Sequence, residues 1–180
     1  MSNRPWIKIA PPEAATGDLK RVYDYILETR GRIPNIRAVM AGEPLVVEGF
    51  AAFFPENNYA CTSIDRRLAE MIATVASVAN GSGFGAPAHA RQLARVTGDA
   101  GFAESILRDY RSAGLPPNEH VLLDYVWKLS KVPGEMTEAD IEGLRAAGWT
   151  DPQIAATVHV ASFFAYMNRV AEAFGLTPGT

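Results

Sequence analysis

Two side chains of this sequence, the carboxylate of Glu70 and the imidazole of His89, have the chemistry to move protons on a substrate. Histidine is the side chain that most often transfers protons near neutral pH, and a carboxylate within reach orients its ring. The glycine-rich stretch from Asn80 to Ala90, NGSGFGAPAHA, separates the two residues. We expect the carboxylate and the imidazole to converge on a shared hollow that holds little solvent.

Glu70 lies on a predicted helix in a position that supports this role. Thr74 and Ser77 follow it at steps of four and three residues, which return to the same side of a helix. The resulting polar strip would face a polar pocket. The alternative is that Glu70 only forms an ion pair with Arg66 or Arg67.

His89 follows Pro87 in the predicted first turn of the next helix, where the helix dipole favours a neutral imidazole. Ser82, on the connecting turn, is a candidate nucleophile that His89 would activate. Arg91, two residues after His89, is a candidate substrate-binding residue. The alternatives are a partly buried histidine without a catalytic role and an arginine that is only a surface charge.

The last predicted helix carries a further group of candidates. His159, Phe163 and Tyr166 share a face at steps of four and three residues. His159 and Tyr166 are candidate substrate-binding residues, although such a face more often belongs to the core.

The glycine stretch also satisfies a dinucleotide-binding pattern, since Gly81-x-Gly83-x-x-Ala86 fits G-x-G-x-x-G/A. That motif requires a strand before it and a βαβ unit around it. The apolar residues that precede Gly81 follow a helical period instead. We therefore interpret the stretch as a junction between two helices.

The elements that would position these residues are all predicted to be helices. Apolar residues recur at three- and four-residue steps, without a period of two. Predicted starts are at Thr16, Pro34, Pro44, Thr62 or Ser63, Pro87, Asp99, Pro117, Thr137 and a capping box from Thr150 to Gln153. After an extended arm over 1–15, the helices are expected over 17–30, 34–40, 44–54, 64–79, 87–97, 99–111, 117–131, 138–147 and 151–174. Asn80-Gly81, Gly148, Gly175 and Pro178 are the expected helix stops.

Composition limits the remaining possibilities. The net charge of −3 gives no electrostatic reason to bind nucleic acid, and no apolar run is long enough to span a membrane. The one cysteine, Cys61, allows no intrachain disulfide, and the three histidines lack the spacing of a metal site. We expect a single cytoplasmic domain over 1–180 that binds a small molecule and needs no cofactor or metal.

The segment AEMIATVASVANGSGFGAPAHARQLA resembles the signature region of the alkylhydroperoxidase D (AhpD) and carboxymuconolactone decarboxylase family. The segments GRIPNIRAVMAGEPLVVEGF and MTEADIEGLRAAGWTDPQIAATVHVASFFAYMNRVAEAFGL are similar to the peroxidase-related branch of that family. Glu70 and His89 match the family's glutamate and histidine, whereas Ser82 and Gly85 stand at the two positions of its Cys-x-x-Cys pair. The resemblance implies an all-α bundle of about eight helices.

Without the two thiols, the family's peroxidase cycle has neither an attacking nor a resolving sulfur. We expect cofactor-free acid/base chemistry of the lyase, decarboxylase or isomerase type, with Glu70, His89 and Ser82 as catalytic candidates. Two alternatives are a non-catalytic ligand-binding protein and a hydroperoxide-consuming one that works by another route. Because family members assemble and the predicted apolar faces are extensive, we also expect a homo-oligomer.

Overall fold

The computed structural model describes residues 5–53 and 59–177, and every regular element in those ranges is helical. The all-α prediction is thus confirmed. The α-helices in these ranges are α1 (Gly17–Arg30), α2 (Asn35–Ala38), α3 (Pro44–Phe53), α4 (Arg66–Ala79), α5 (Gly85–Thr97), α6 (Ala100–Asp109), α7 (Pro117–Lys131), α8 (Glu138–Ala146) and α9 (Asp151–Ala173). α4 precedes the glycine stretch, so the dinucleotide-binding interpretation is excluded by the absence of the strand it needs.

Several helix ends follow directly from local sequence signals. α7 spans the predicted 117–131, with a proline in its first turn. At α9 the backbone N–H of Thr150 donates to Gln153 Oε1 at 3.0 Å, which confirms that half of the predicted capping box. Asn80 ends α4, and Gly81 follows it with a φ of +72°, in the left-handed region that glycine adopts at little cost.

Other helix ends differ from prediction. α4 is capped by the Asp65 carboxylate, which accepts from the backbone N–H of Leu68 at 2.7 Å, and neither Thr62 nor Ser63 caps it. Thr16 occupies the cap position of α1 without a side-chain hydrogen bond there. α5 begins at Gly85 rather than Pro87, and α6 ends at Asp109, where a 3₁₀ turn takes over. The predicted ends at Phe54 and Pro178, and the first four residues of the arm, lie outside the described residues.

The chain divides into two compact units, Met1–Ala60 with Val170–Thr180 and Cys61–Arg169. In the first unit α1 packs against α3, and Arg21 on α1 pairs with Glu48 on α3 at 2.6 Å. The backbone N–H of Trp6 donates to the carbonyl of Phe174 at 3.0 Å, which ties the N-terminal arm to the residue that follows α9. The expectation of a single domain stays a prediction.

The second unit, Cys61–Arg169, is organised around α4. This helix packs against α5 and α7, while α5 packs on α6 and α7 on α8. Eleven of the fourteen residues of α4 are buried, so its burial extends beyond the predicted apolar stripe to the polar strip of Glu70, Thr74 and Ser77. The unit therefore holds a row of polar side chains in its interior, and each of them needs a partner.

Candidate active site

Glu70 and His89 meet in the interior of this second unit. Glu70 Oε2 lies 2.9 Å from His89 Nδ1, which joins the second turn of α4 to the second turn of α5. The side chain of Glu70 is 1% exposed and that of His89 is 15% exposed. The carboxylate is thus sealed off, and the imidazole is the part of the pair that retains contact with solvent.

The other oxygen of Glu70 is held by Arg66 from one turn earlier on α4. Arg66 Nε donates to Glu70 Oε1 at 2.7 Å, and its side chain is 29% exposed. The ion pair with Arg66 and the contact with His89 therefore coexist, each on its own carboxylate oxygen. Arg67 instead pairs with Glu119 on α7 at 2.7 Å.

The protonation state of the pair follows from these contacts. Burial by itself would raise the pKa of the Glu70 carboxyl, but the hydrogen bond from His89 and the charges of His89 and Arg66 outweigh it and hold that pKa below its usual range. Glu70 is therefore ionised at neutral pH, so the proton of the hydrogen bond sits on His89 Nδ1. In neutral His89 the lone pair is then on Nε2.

His89 is the fifth residue of α5, because the helix begins two residues earlier than predicted. The influence of the helix dipole falls off beyond the first turn, so the dipole acts on His89 more weakly than expected. The Glu70 carboxylate is the stronger influence on this imidazole.

An aromatic residue that sequence analysis did not select completes the surroundings of His89. The ring of Phe164 on α9 lies edge-on to the imidazole, with 4.0 Å between the ring centroids, and Phe163 packs on Phe164 at 5.3 Å. Phe164 belongs to the buried face of α9, and the half-buried Phe163 stands beside it. Together they place apolar surface next to the imidazole.

The two positions that correspond to the family's cysteines lie in a separate polar cluster. Ser82 is 3% exposed, and its Oγ accepts from the backbone N–H of Gly85, the first residue of α5, at 2.9 Å. Asn168 from α9 is 4% exposed, and both its Oδ1 and its Nδ2 lie 3.2 Å from Ser77 Oγ. A Cβ on Gly85 would come closer than 3.0 Å to Asn168 Oδ1. The amide of Asn168 thus occupies the space that a side chain at position 85 would need.

The remaining predicted site residues lie elsewhere on the surface. Arg91 is exposed on α5, two positions beyond His89, which is more than half a turn around the helix. His159 and Tyr166 are both exposed on α9, so the interpretation of their face as core is wrong. The buried stripe of α9 lies one residue further along, at Val160, Phe164 and Met167. Substrate-binding roles for Arg91, His159 and Tyr166 stay predictions.

Cys61 is a free, half-buried thiol whose pKa is raised by burial, which reduces its thiolate content.

Among residues 5–53 and 59–177, no three or more His, Cys, Asp or Glu side chains come together as metal ligands. Within the same ranges, no helix combines the length and the apolar character needed to cross a bilayer.

Comparison with known proteins yields matches among solved structures. A peroxidase-related protein from Silicibacter sp. TM1040 is 27% identical, with a TM-score of 0.75 over 89% of this chain and 84% of its own. An AhpD-core, peroxidase-related protein from Ralstonia eutropha JMP134 is 25% identical, with a TM-score of 0.82 over 97% of this chain and 92% of its own. An enzyme, the debrominase Bmp8, shares the fold at 16% identity, with a TM-score of 0.80 over 99% of this chain and 95% of its own.

No family model matches the chain, and no curated protein does. The identification consequently depends on the two peroxidase-related structures, each of which is matched over most of its length. By this similarity the chain is AhpD-like and of the peroxidase-related kind, with Ser82 and Gly85 at the two positions where the resemblance places cysteines.

Proposed function

We propose that this protein is a cofactor-free acid/base enzyme that acts on a small organic substrate. His89 is the proton-transferring residue, and Glu70 positions it. The observation that supports this most directly is the 2.9 Å contact between His89 Nδ1 and the buried, ionised carboxylate of Glu70. A fixed carboxylate behind one ring nitrogen makes the other nitrogen a defined base.

The proposed step begins with neutral His89, protonated on Nδ1. Nε2 takes a proton from the substrate, and the imidazolium that forms is stabilised by the Glu70 carboxylate in contact with Nδ1–H. The same Nε2–H then returns a proton to another atom of the substrate. Such a sequence serves an isomerisation, a decarboxylation or the elimination step of a lyase, because each needs a proton removed or delivered at carbon.

Arg66 contributes to this step through Glu70. Its Nε holds the second carboxylate oxygen and keeps the pKa of Glu70 low, so the proton taken up by His89 stays on the imidazole. Arg66 therefore acts as a positioning residue.

The same proposal excludes the thiol peroxidase cycle. Ser82 and Gly85 offer no sulfur at the family's two cysteine positions. Cys61 has no second cysteine with which to form an intrachain disulfide, and burial raises its pKa. Ser82 Oγ is occupied as an acceptor from the Gly85 N–H, which supports a structural role in preference to a nucleophilic one.

Proton transfer can be tested before the natural substrate is known. We would incubate the protein in D₂O with a panel of small carbonyl compounds, lactone acids and unsaturated acids, and follow each by proton NMR. Deuterium incorporation, double-bond migration and loss of CO₂ all appear in the same spectra. We expect wild type to catalyse one of these changes, His89→Ala to abolish it, and Glu70→Gln to slow it by about 10²-fold or more, in the range typical of general acid–base catalysis.

His120→Ala is the matched control, since this half-buried histidine lies on α7 outside the pair. It should keep the wild-type rate. A reaction that survives His89→Ala unchanged would refute the proposal. Panel compounds that bind equally to wild type and His89→Ala, without any turnover, would instead indicate a ligand-binding protein.

A further inference from the structure

Arg37, in the unit formed by Met1–Ala60 and Val170–Thr180, is among the largest fully buried side chains of the protein, with 1% of its surface exposed. Its terminal nitrogens, Nη1 and Nη2, are both sealed from solvent, and neither has a hydrogen-bond partner among the described residues. Buried arginines normally have a carboxylate or several carbonyls around them, because a buried unpaired charge is costly. Within residues 5–53 and 59–177, no hydrogen bond from these two nitrogens offsets this cost.

The surroundings of Arg37 supply an aromatic contact but also a second positive charge. The guanidinium carbon lies 4.7 Å from the centroid of the Phe50 ring on α3, so an aromatic face covers the group. Burial, together with repulsion from the nearby positive charge of Arg30, lowers the pKa of Arg37 to about 10. Even so, the guanidinium stays protonated at neutral pH. The local field therefore favours the arrival of a negative charge.

We propose that Arg37 is the centre of a binding site for a small carboxylate anion. The two unpaired nitrogens form the end of the guanidinium fork, and their spacing matches the two oxygens of one carboxylate. A carboxylate placed there would receive one N–H from each nitrogen and would neutralise the buried charge. This site is independent of the proposed chemistry at Glu70 and His89.

Access to the site requires a local opening, since both nitrogens are covered. Arg37 lies on α2, a helix of only four residues that ends at Ala38. Single helical turns open more readily than long packed helices. The site is thus expected to fill through motion of α2 and to close over a small ligand.

Thermal melting with defined anions tests this proposal. Sodium acetate and sodium succinate would be compared with sodium chloride at equal ionic strength. At about 100-fold above the dissociation constant, a carboxylate should raise the Tm of wild type by about 5 °C or more. Arg37→Met should lose this response, and in chloride alone its Tm should exceed that of wild type, because the substitution removes an unpaired buried charge.

Arg32→Met is the matched control, since Arg32 is exposed and its replacement removes the same charge. It should keep the wild-type response to carboxylates. Arg37→Lys keeps the charge without the fork, and it should show a smaller rise in Tm. The proposal is overturned if Arg37→Met melts below wild type in chloride, if Arg32→Met and Arg37→Met respond alike, or if Tm follows protein concentration in place of carboxylate concentration.

Discussion

Gly85→Ala is the substitution that tests how the space beside Gly85 is filled, at the position where the resemblance places the second cysteine. The new Cβ would lie closer than 3.0 Å to Asn168 Oδ1 and 3.1 Å from both Ser77 Oγ and Ser82 Oγ. Gly85 is helical, so alanine would by itself favour the helix by about 0.5–1 kcal/mol. Any loss of stability must therefore come from the surrounding cluster.

The size of that loss follows from the contacts of Asn168. Its amide must move away from position 85 and leave Ser77 Oγ, 3.2 Å away, although both side chains are buried. An unsatisfied buried polar group costs about 1–3 kcal/mol. Overpacking adds about 1–3 kcal/mol. After the helix gain is subtracted, we expect Gly85→Ala to lower the free energy of unfolding by about 3 kcal/mol, which lowers Tm by about 6–12 °C.

Urea unfolding of the two single variants, Gly85→Ala and Asn168→Ala, and of the double variant measures the coupling between the two positions. Asn168→Ala removes the oxygen that obstructs the new methyl group, so the double variant should be about 1–3 kcal/mol more stable than the sum of the two losses implies. Gly83→Ala is the control, because a Cβ there meets nothing within 4 Å. Equal losses at positions 83 and 85, or strict additivity of the two variants, would refute this account of the cluster.

Three further predictions concern α4 and its surroundings. Because the folded pKa of Glu70 is lowered, its ionisation stabilises the protein above its unfolded pKa of about 4.3, and this stability is lost as pH falls further. The difference in unfolding free energy between wild type and Glu70→Gln should therefore shrink between about pH 5 and pH 3 in urea titrations. Cys61→Ser should leave peroxide consumption in the presence of a thiol reductant at the wild-type level, which we expect to be background; activity that disappears with the substitution would contradict this. Asp65→Ala should lower the free energy of unfolding by about 1 kcal/mol through loss of the α4 cap, whereas Ser63→Ala should change it little.

Local signals in the sequence were sufficient for most helix ends and failed where several candidates compete. The proline at the start of α7 and the Thr150–Gln153 pair at α9 each involve neighbouring residues, so the structure follows them closely. Before α4, Ser63 and Asp65 both have cap-forming side chains within three positions. Asp65 is the cap because α4 begins at Arg66. That start depends on how the helix packs in the folded protein, which the local sequence pattern does not determine.

Only the part of the candidate site that lies on two successive helices, α4 and α5, could be predicted from the sequence. The helical phase of Glu70 and the resemblance around His89 place the two side chains at one junction, and the structure brings them to 2.9 Å. The contributions of Phe164 and Asn168 depend on how α9 packs, far along the chain. The buried face of α9 lies one residue further along the chain than the face predicted from the sequence. His159 and Tyr166, which belong to the predicted face, are therefore exposed.

The buried polar side chains of α4 belong to two groups that differ in whether their partners are exposed to solvent. Ser77, Ser82 and Asn168 are all buried, and the space beside Gly85 is occupied by the Asn168 amide. Around Glu70 the carboxylate is equally sealed, but its partner His89 keeps 15% of its side chain exposed. Within the pair, a substrate that arrives from solvent meets the imidazole and not the sealed carboxylate, whose other oxygen is covered by the Arg66 guanidinium. In the proposed reaction the imidazole is therefore the group that contacts the substrate, whereas the sealed cluster of Ser77, Ser82 and Asn168 links α4, α5 and α9.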